Sequence, residues 1–314
     1  MVGRMVSGKH RTKSSSRPAA SPRADAHAGQ LPPTISGRWL VGALAITLPA
    51  ALLCTWAAFC ALFWQGSWQL LYHPSATVVR TPSSAGLSYI PVGLAPSDAG
   101  TPQLSGWWIP AGPTARCTAL FLHGQDGNMG DALGDLVRLH NAGANVLAID
   151  YRGYGASEFA RPTEARWRED AESALGYLAA TRHIAPHSTI VVGAGLGANL
   201  ALEVAAAHSE LAGVVLESPL DAPASVIFND PRARLIPAHL LVHDRWELLA
   251  PAAALSIPSL WFLPQPASGQ NPAPGVDAAF QKVSGFKTRV WLSSASALQQ
   301  DAASALSRWL DSLH

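Results

Sequence analysis

Hydrophobic and polar residues fall into three regimes along the chain. Up to residue 38 small and polar side chains dominate, and the stretch SSSRPAASPRADAHAG has no apolar periodicity that could bury a core. A disordered basic tail is expected there. From Trp39 to Trp64 no charged side chain occurs. Twenty-six helical residues at about 1.5 Å each reach about 39 Å, enough to cross a hydrocarbon layer of about 30 Å. Trp39 at one end and Trp64 and Trp68 at the other suit interfacial aromatic belts, and Pro49 is tolerated inside a bilayer helix. A cleaved signal peptide is the alternative, but its apolar region runs only about 7 to 15 residues. Cys54 and Cys60 follow Leu53 and Phe59 rather than the small residue that precedes a lipoprotein cysteine.

Past Tyr72 the pattern changes to short apolar runs alternating with helical spacing. Leu104 to Ile109, Ala119 to Leu122, Val146 to Ile149, Thr189 to Val192, Val214 to Leu216, Ser259 to Leu263 and Arg289 to Leu292 read as strands buried on both faces. Between them Leu133, Leu136, Val137 and Leu139, then Ala171, Leu175 and Leu178, then Leu200, Leu202 and Val204 read as helices. The fold class that follows is α/β, a mostly parallel sheet with helices on both faces, preceded by one N-terminal transmembrane helix. The expected organisation is a tail (1–38), a membrane helix (39–64), a linker (65–80) and one folded domain (81–314).

Composition sharpens this picture. The 314 residues are 48% hydrophobic and 14% charged, against about 25% charged in a soluble domain. A net charge of +1 provides no field for nucleic acid. Three cysteines support neither a disulfide scaffold nor a four-ligand zinc site. The charge is unevenly placed: seven cations precede the apolar run against Asp25 alone, a net of +6, and the first cation after it is Arg80. The positive-inside rule then sets the N-terminus in the cytoplasm and the folded domain on the exoplasmic, periplasmic side.

Ligand chemistry in parallel sheets sits at the carboxyl ends of the strands, and three of these ends carry motifs. They are Leu122-His123-Gly124-Gln125-Asp126-Gly127-Asn128, then Asp150-Tyr151-Arg152-Gly153-Tyr154-Gly155-Ala156-Ser157, and Val192-Gly193-Ala194-Gly195-Leu196-Gly197. A dinucleotide or phosphate loop is disfavoured, because Leu200 stands where the third glycine of the frame beginning at Gly195 is needed and no Gly-Lys-Ser/Thr follows. No two-His and carboxylate cluster has metal-ligand spacing, so neither a metal nor a cofactor is expected.

In this order the three motifs resemble the α/β-hydrolase superfamily, and more closely its membrane-anchored, serine-aminopeptidase-like branch, with its HGNxGN-type turn, DYRGYGxS turn and G-x-S-x-G elbow. The likeness extends from Tyr72-His73-Pro74 to the C-terminus through Trp107-Trp108-Ile109-Pro110, Pro162-Thr163-Glu164 and Asp244-Arg245-Trp246. It implies an α/β-hydrolase-like fold and a serine nucleophile at the elbow. Here that position is Gly195, flanked by Gly193, Leu196 and Gly197. The resemblance places the triad acid in the loop from Pro264 to Asn271, which has no carboxylate; Asp277 falls in the next helix. It places the histidine near Ser293 to Ala297, yet after His243 the only histidine is His314.

A relocated triad would draw on Asp221, Ser157, Ser218, His239 or His243. Asp221 also suits an N-cap or turn, and the two serines suit turns. The resemblance makes His123 part of the scaffold and gives the oxyanion donors as the backbone N–H groups of Gln125 and Leu196, which need no side-chain identity. His123, Gly124, Asp126, Asn128, Tyr151 and Asp221 are the candidate pocket residues. Two functional expectations stand. One is a pseudohydrolase that binds a small ligand or a protein partner. The other is an ester, thioester or amide hydrolase with a relocated nucleophile.

Overall fold

The computed structural model describes residues 36–266, 273–292 and 297–313, side chains 297–300 excepted. In chain order it contains α1 (Gly37–Gly66), β1 (His73–Pro74), β2 (Ile90–Pro96), β3 (Pro102–Ile109), β4 (Cys117–Leu122), β5 (Asp126–Gly127), α2 (Leu133–Asn141), β6 (Ala144–Asp150) and α3 (Glu164–Ala180). There follow β7 (Thr189–Ala194), α4 (Leu196–Ala207), β8 (Gly213–Glu217), α5 (Ser225–Phe228), α6 (Ala238–Leu241), α7 (Leu249–Ala254), β9 (Ser259–Pro264), α8 (Pro274–Lys282), β10 (Lys287–Leu292) and α9 (Ala297–Asp311).

The described residues divide into two units, one ending at Leu53 and the other beginning at Cys54. The first unit is apolar helix, with Trp39, Leu44, Ile46, Leu48 and Leu52 all exposed. Its side chains have the chemistry of a lipid-facing surface. The basic stretch through residue 35 lies outside the described residues.

In the second unit eight strands form one sheet in the order β10-β9-β8-β7-β4-β6-β3-β2. The pairs from β10 to β6 are parallel, while the β6–β3 and β3–β2 pairs at the other edge are antiparallel, so that β3 alone runs against the rest. All six residues of β4 are buried. Their alternation supplies two cores: Leu120 and Leu122 pack with Trp167, Leu178 and Leu200 on one face, and Ala119 and Phe121 with Leu136, Leu306 and Trp309 on the other. The helices α3 and α4 therefore cover one face and α2 and α9 the other, the layered arrangement of the α/β-hydrolase fold.

Three features differ from the sequence reading. β2 was not expected, because IPVGLAP interrupts its apolar residues with two prolines and a glycine; an edge strand tolerates prolines whose missing N–H would face solvent. β10, expected to be buried on both faces, is an edge strand with Trp291 exposed. Leu71 and Tyr72, placed in a linker, are buried in the core with Phe63.

A buried aromatic group centres on Trp167. Trp167 of α3 stacks on Tyr151 at 3.9 Å between centroids and meets Tyr72, Tyr154 and Trp246 edge-on. Trp167 is fully buried, so Trp167→Ala removes contact on several sides. The expected loss is about 3 to 5 kcal/mol of unfolding free energy in a denaturant titration.

Candidate functional site

The elbow begins where β7 ends at Ala194 and α4 starts at Leu196. Between them Gly195 has φ 56° and ψ −124°, a conformation that a side chain with a Cβ disfavours. Its N–H donates to the Glu217 carbonyl at 2.9 Å and its own carbonyl accepts from Ala198 N–H at 3.0 Å, which closes the turn. The flanking Gly193 and Gly197 serve close packing: a Cβ on Gly197 would lie 2.3 Å from the carbonyl oxygens of Leu122 and His123. Helix α4 thus starts in contact with the end of β4, and the two turns that would form an oxyanion pocket are adjacent.

A side chain occupies that pocket. The Leu196 N–H, first in α4, donates to Gln125 Oε1 at 3.2 Å. The same amide donates through Nε2 to Asp126 Oδ2 at 2.8 Å, and Asp126 Oδ1 meets His73 Nδ1 at 2.7 Å. Asp126 accepts only, so it takes the NH2 group and turns the amide oxygen toward the helix N-terminus. There the unpaired N–H groups and the helix dipole favour an acceptor. Sequence reasoning gave Gln125 only a backbone role. Its side-chain identity carried the missed signal, since a carboxamide is long enough to fold back onto a neighbouring turn.

The remaining candidates hold the turns together. His123 is buried, its Nδ1 donates to Gly124 O at 2.7 Å, and its Nε2 lies 3.4 Å from the buried Asp150 Oδ1. Asp150 also accepts from Met129 N–H at 2.7 Å. The Tyr151 hydroxyl donates to His123 O at 3.1 Å, and the Tyr154 hydroxyl to Gln125 O at 2.9 Å. Burial pushes both phenols above their usual range, so both remain donors. Gly124 lies under Ala194, whose carbonyl oxygen would be 3.3 Å from a Cβ there. Asn128 donates to the carbonyls of Ser75 and Thr77 and accepts from Gly130 N–H. It ties the segment after β1 to the first turn.

Asp221 accepts from Gly275 N–H at 2.9 Å, in the first turn of α8. It also lines a cavity of about 540 Å³ with Phe228, Arg245, Trp246 and Leu248. Ser157 donates to Asp150 O at 2.6 Å, and Ser218 takes a left-handed φ of 50° in the turn after β8. The His239 ring stacks on Phe228 at 4.2 Å. Among the described residues neither His239 nor His243 has a side-chain hydrogen bond to a carboxylate, and no group of three metal-ligating side chains forms. Asp277 forms an ion pair with Arg289. Residues 267–271 of the expected acid loop, residues 293–296 of the expected histidine segment and His314 lie outside the described residues.

The elbow geometry carries a stability test. At φ 56° a Cβ on residue 195 is strained, and it would sit 3.1 Å from Gln125 Oε1. Gly195→Ala is expected to lower the unfolding free energy by about 1 to 2 kcal/mol, read as an earlier denaturant midpoint with unchanged slope.

Comparison with known proteins agrees with this geometry. An uncharacterized protein of Mycobacterium tuberculosis is 29% identical over 205 residues, covering 63% of this chain and 68% of the relative. Human alpha/beta hydrolase domain-containing protein 17B is 32% identical over 126 residues, 40% of this chain; the match spans 43% of the human protein. Among solved structures, a Pyrococcus furiosus esterase superposes with a TM-score of 0.59 at 18% identity, covering 77% of this chain and 97% of the esterase. The 2,6-dihydroxy-pseudo-oxynicotine hydrolase gives 0.56 at 17% identity over 72% of this chain and 68% of that one. At such identity these structures share the fold. The alpha/beta hydrolase family model matches residues 119–313, from the central strand through the elbow to the last helix, and the chain belongs to that family.

Proposed function

We propose that this protein is a membrane-anchored pseudohydrolase of the serine-aminopeptidase-like branch, which binds a ligand or protein partner and performs no acyl transfer. One observation carries the reading: the nucleophile position is Gly195, and the N–H that would stabilise an oxyanion is held by Gln125 Oε1. A tetrahedral intermediate needs both an attacking atom and a vacant donor pair. The cavity beside Asp221, Phe228 and Trp246, about 540 Å³ and mostly apolar, has the size of a small-ligand site. Residues 39–64 anchor the chain, with the N-terminus cytoplasmic and the folded domain exoplasmic, as the excess of cations before the helix supports.

Two experiments bear on this. A fluorophosphonate probe is expected to leave the unaltered protein unlabelled. Gly195→Ser is expected to hydrolyse short-chain p-nitrophenyl esters no faster than the unaltered chain, because a serine without a neighbouring base is a weak nucleophile. A stoichiometric adduct would refute the pseudohydrolase in favour of an ester, thioester or amide hydrolase with a relocated nucleophile, and a gain of about a hundredfold in kcat would refute it by revealing a base, His239 or His243 first, within reach of residue 195. For topology, protease added to intact spheroplasts is expected to digest the folded domain and spare an epitope in residues 1–38. The reverse pattern would invert the orientation.

A further inference from the structure

The end of the apolar helix meets the folded domain at a cationic cavity that the pocket near the elbow does not include. An open cavity of about 590 Å³ is lined by Trp64, Arg161, Thr163, Arg166, Leu241 and Val242, with His243 and Asp244 in the wall. Arg161 lies over the Trp64 ring at 5.2 Å and donates through Nη2 to the Trp64 carbonyl at 2.8 Å. Its Nε is buried with no partner. Arg166 donates through Nη1 to the Arg161 carbonyl at 2.6 Å. Among the described residues neither guanidinium forms an ion pair within 4 Å of a carboxylate. Asp244 shares the wall and attracts Arg161 but forms no ion pair within 4 Å of either guanidinium, its oxygens accepting from the Tyr72 hydroxyl at 2.7 Å and Glu164 N–H at 3.2 Å. Burial, together with the like charge of Arg166, holds Arg161 below its usual pKa against the pull of Asp244. Two neighbouring cations in this state call for an anion.

The surroundings identify the kind of anion. Eight residues before Trp64, the Trp56 indole donates to the Leu235 carbonyl at 3.0 Å, so the excursion that carries α6 reaches about 12 Å back along the helix. On that excursion Leu235 is 66% exposed and Leu240 75% exposed. These leucines, like the helix beside them, offer apolar surface where acyl chains would lie, while the arginines sit at the level of Trp64, the aromatic end of the apolar run. A phosphodiester beneath a pair of guanidinia, with apolar chains leading away from it, matches both halves of the site.

We propose that this cavity binds the phosphodiester headgroup of an anionic phospholipid, its phosphate on Arg161 and Arg166 and its acyl chains along Leu235, Leu240 and the apolar helix. The proposal rests on the membrane anchoring proposed above. A zwitterionic headgroup is disfavoured because its ammonium would face the same two cations.

Full-length protein in detergent, equilibrated with equal amounts of phosphatidylglycerol and phosphatidylcholine, tests this by native mass spectrometry of the retained lipid. The unaltered chain is expected to retain phosphatidylglycerol in preference by about tenfold or more, the scale of charge-assisted hydrogen bonds. Arg161→Gln with Arg166→Gln is expected to bring the ratio close to unity while thermal melting stays cooperative. Arg166→Gln alone, whose guanidinium bonds one carbonyl, is expected to shift the ratio the same way and decides the matter if the double variant does not fold. Equal retention of the two lipids by the unaltered chain would overturn the proposal. So would a preference that survives the substitutions, which would locate it elsewhere, such as the cations of residues 1–38. Displacement of the lipid by inorganic phosphate would make this a free-anion site and also overturn it. Alkaline carbonate extraction of membranes is the separate control for the anchor. Release of the chain there would refute the anchoring, whatever the retention ratio shows.

Discussion

The close approach of α4 to the end of β4 governs the elbow and the turns around it. Gly197 admits the carbonyls of Leu122 and His123 to a distance that any Cβ would obstruct. With the helix so near the strand, the turn after β4 is short enough for Gln125 to reach the first N–H of α4. The same proximity lets Tyr151 and Tyr154, projecting from the turn after β6, hold the carbonyls of His123 and Gln125. A bulkier residue at 197 would separate all three turns together, because interiors packed to crystal-like density transmit a displacement instead of absorbing it.

Much of this was legible in the residues. Doubly buried strands such as Phe121 and its neighbours in β4 read as uninterrupted apolar runs, and they became the centre of the sheet. Asp150-Tyr151-Arg152 read as a strand end and a turn, and the structure adds that Asp170 of α3 receives the Arg152 N–H and Nε at 2.8 and 2.6 Å. β2 was illegible because Pro91 and Pro96 interrupt its apolar residues, and the hydrogen bonds that make it a strand come from β3 alone. The role of Gln125 was illegible for another reason. A polar side chain in a glycine-rich turn has no periodicity, and only three-dimensional proximity shows which of its neighbours it can satisfy.

The helix that carries Trp56, Phe63 and Trp64 shows how an apolar segment long enough to cross a membrane can also contribute to a core. Phe63 is buried in the domain, Arg232 lies over its ring at 6.0 Å, and Arg161 covers Trp64. Arginine suits such positions because its weakly hydrated, planar cation stacks on aromatic faces at modest desolvation cost. From Phe63 through Tyr72 the chain is therefore packed into the core of the second unit rather than a slack linker.

The Gln125 amide makes ligand entry at the elbow an exchange rather than an addition. A neutral carbonyl arriving at Leu196 N–H must displace another neutral carbonyl, so the hydrogen-bond count is unchanged and the gain in free energy is near zero. A carboxylate or phosphate would trade a neutral acceptor for a charged one at a helix N-terminus, against the like charge of the neighbouring Asp126. The displaced amide keeps its Asp126 contact and only has to rotate. The turn therefore presents no vacant donor at Leu196 until one glutamine side chain has rotated away.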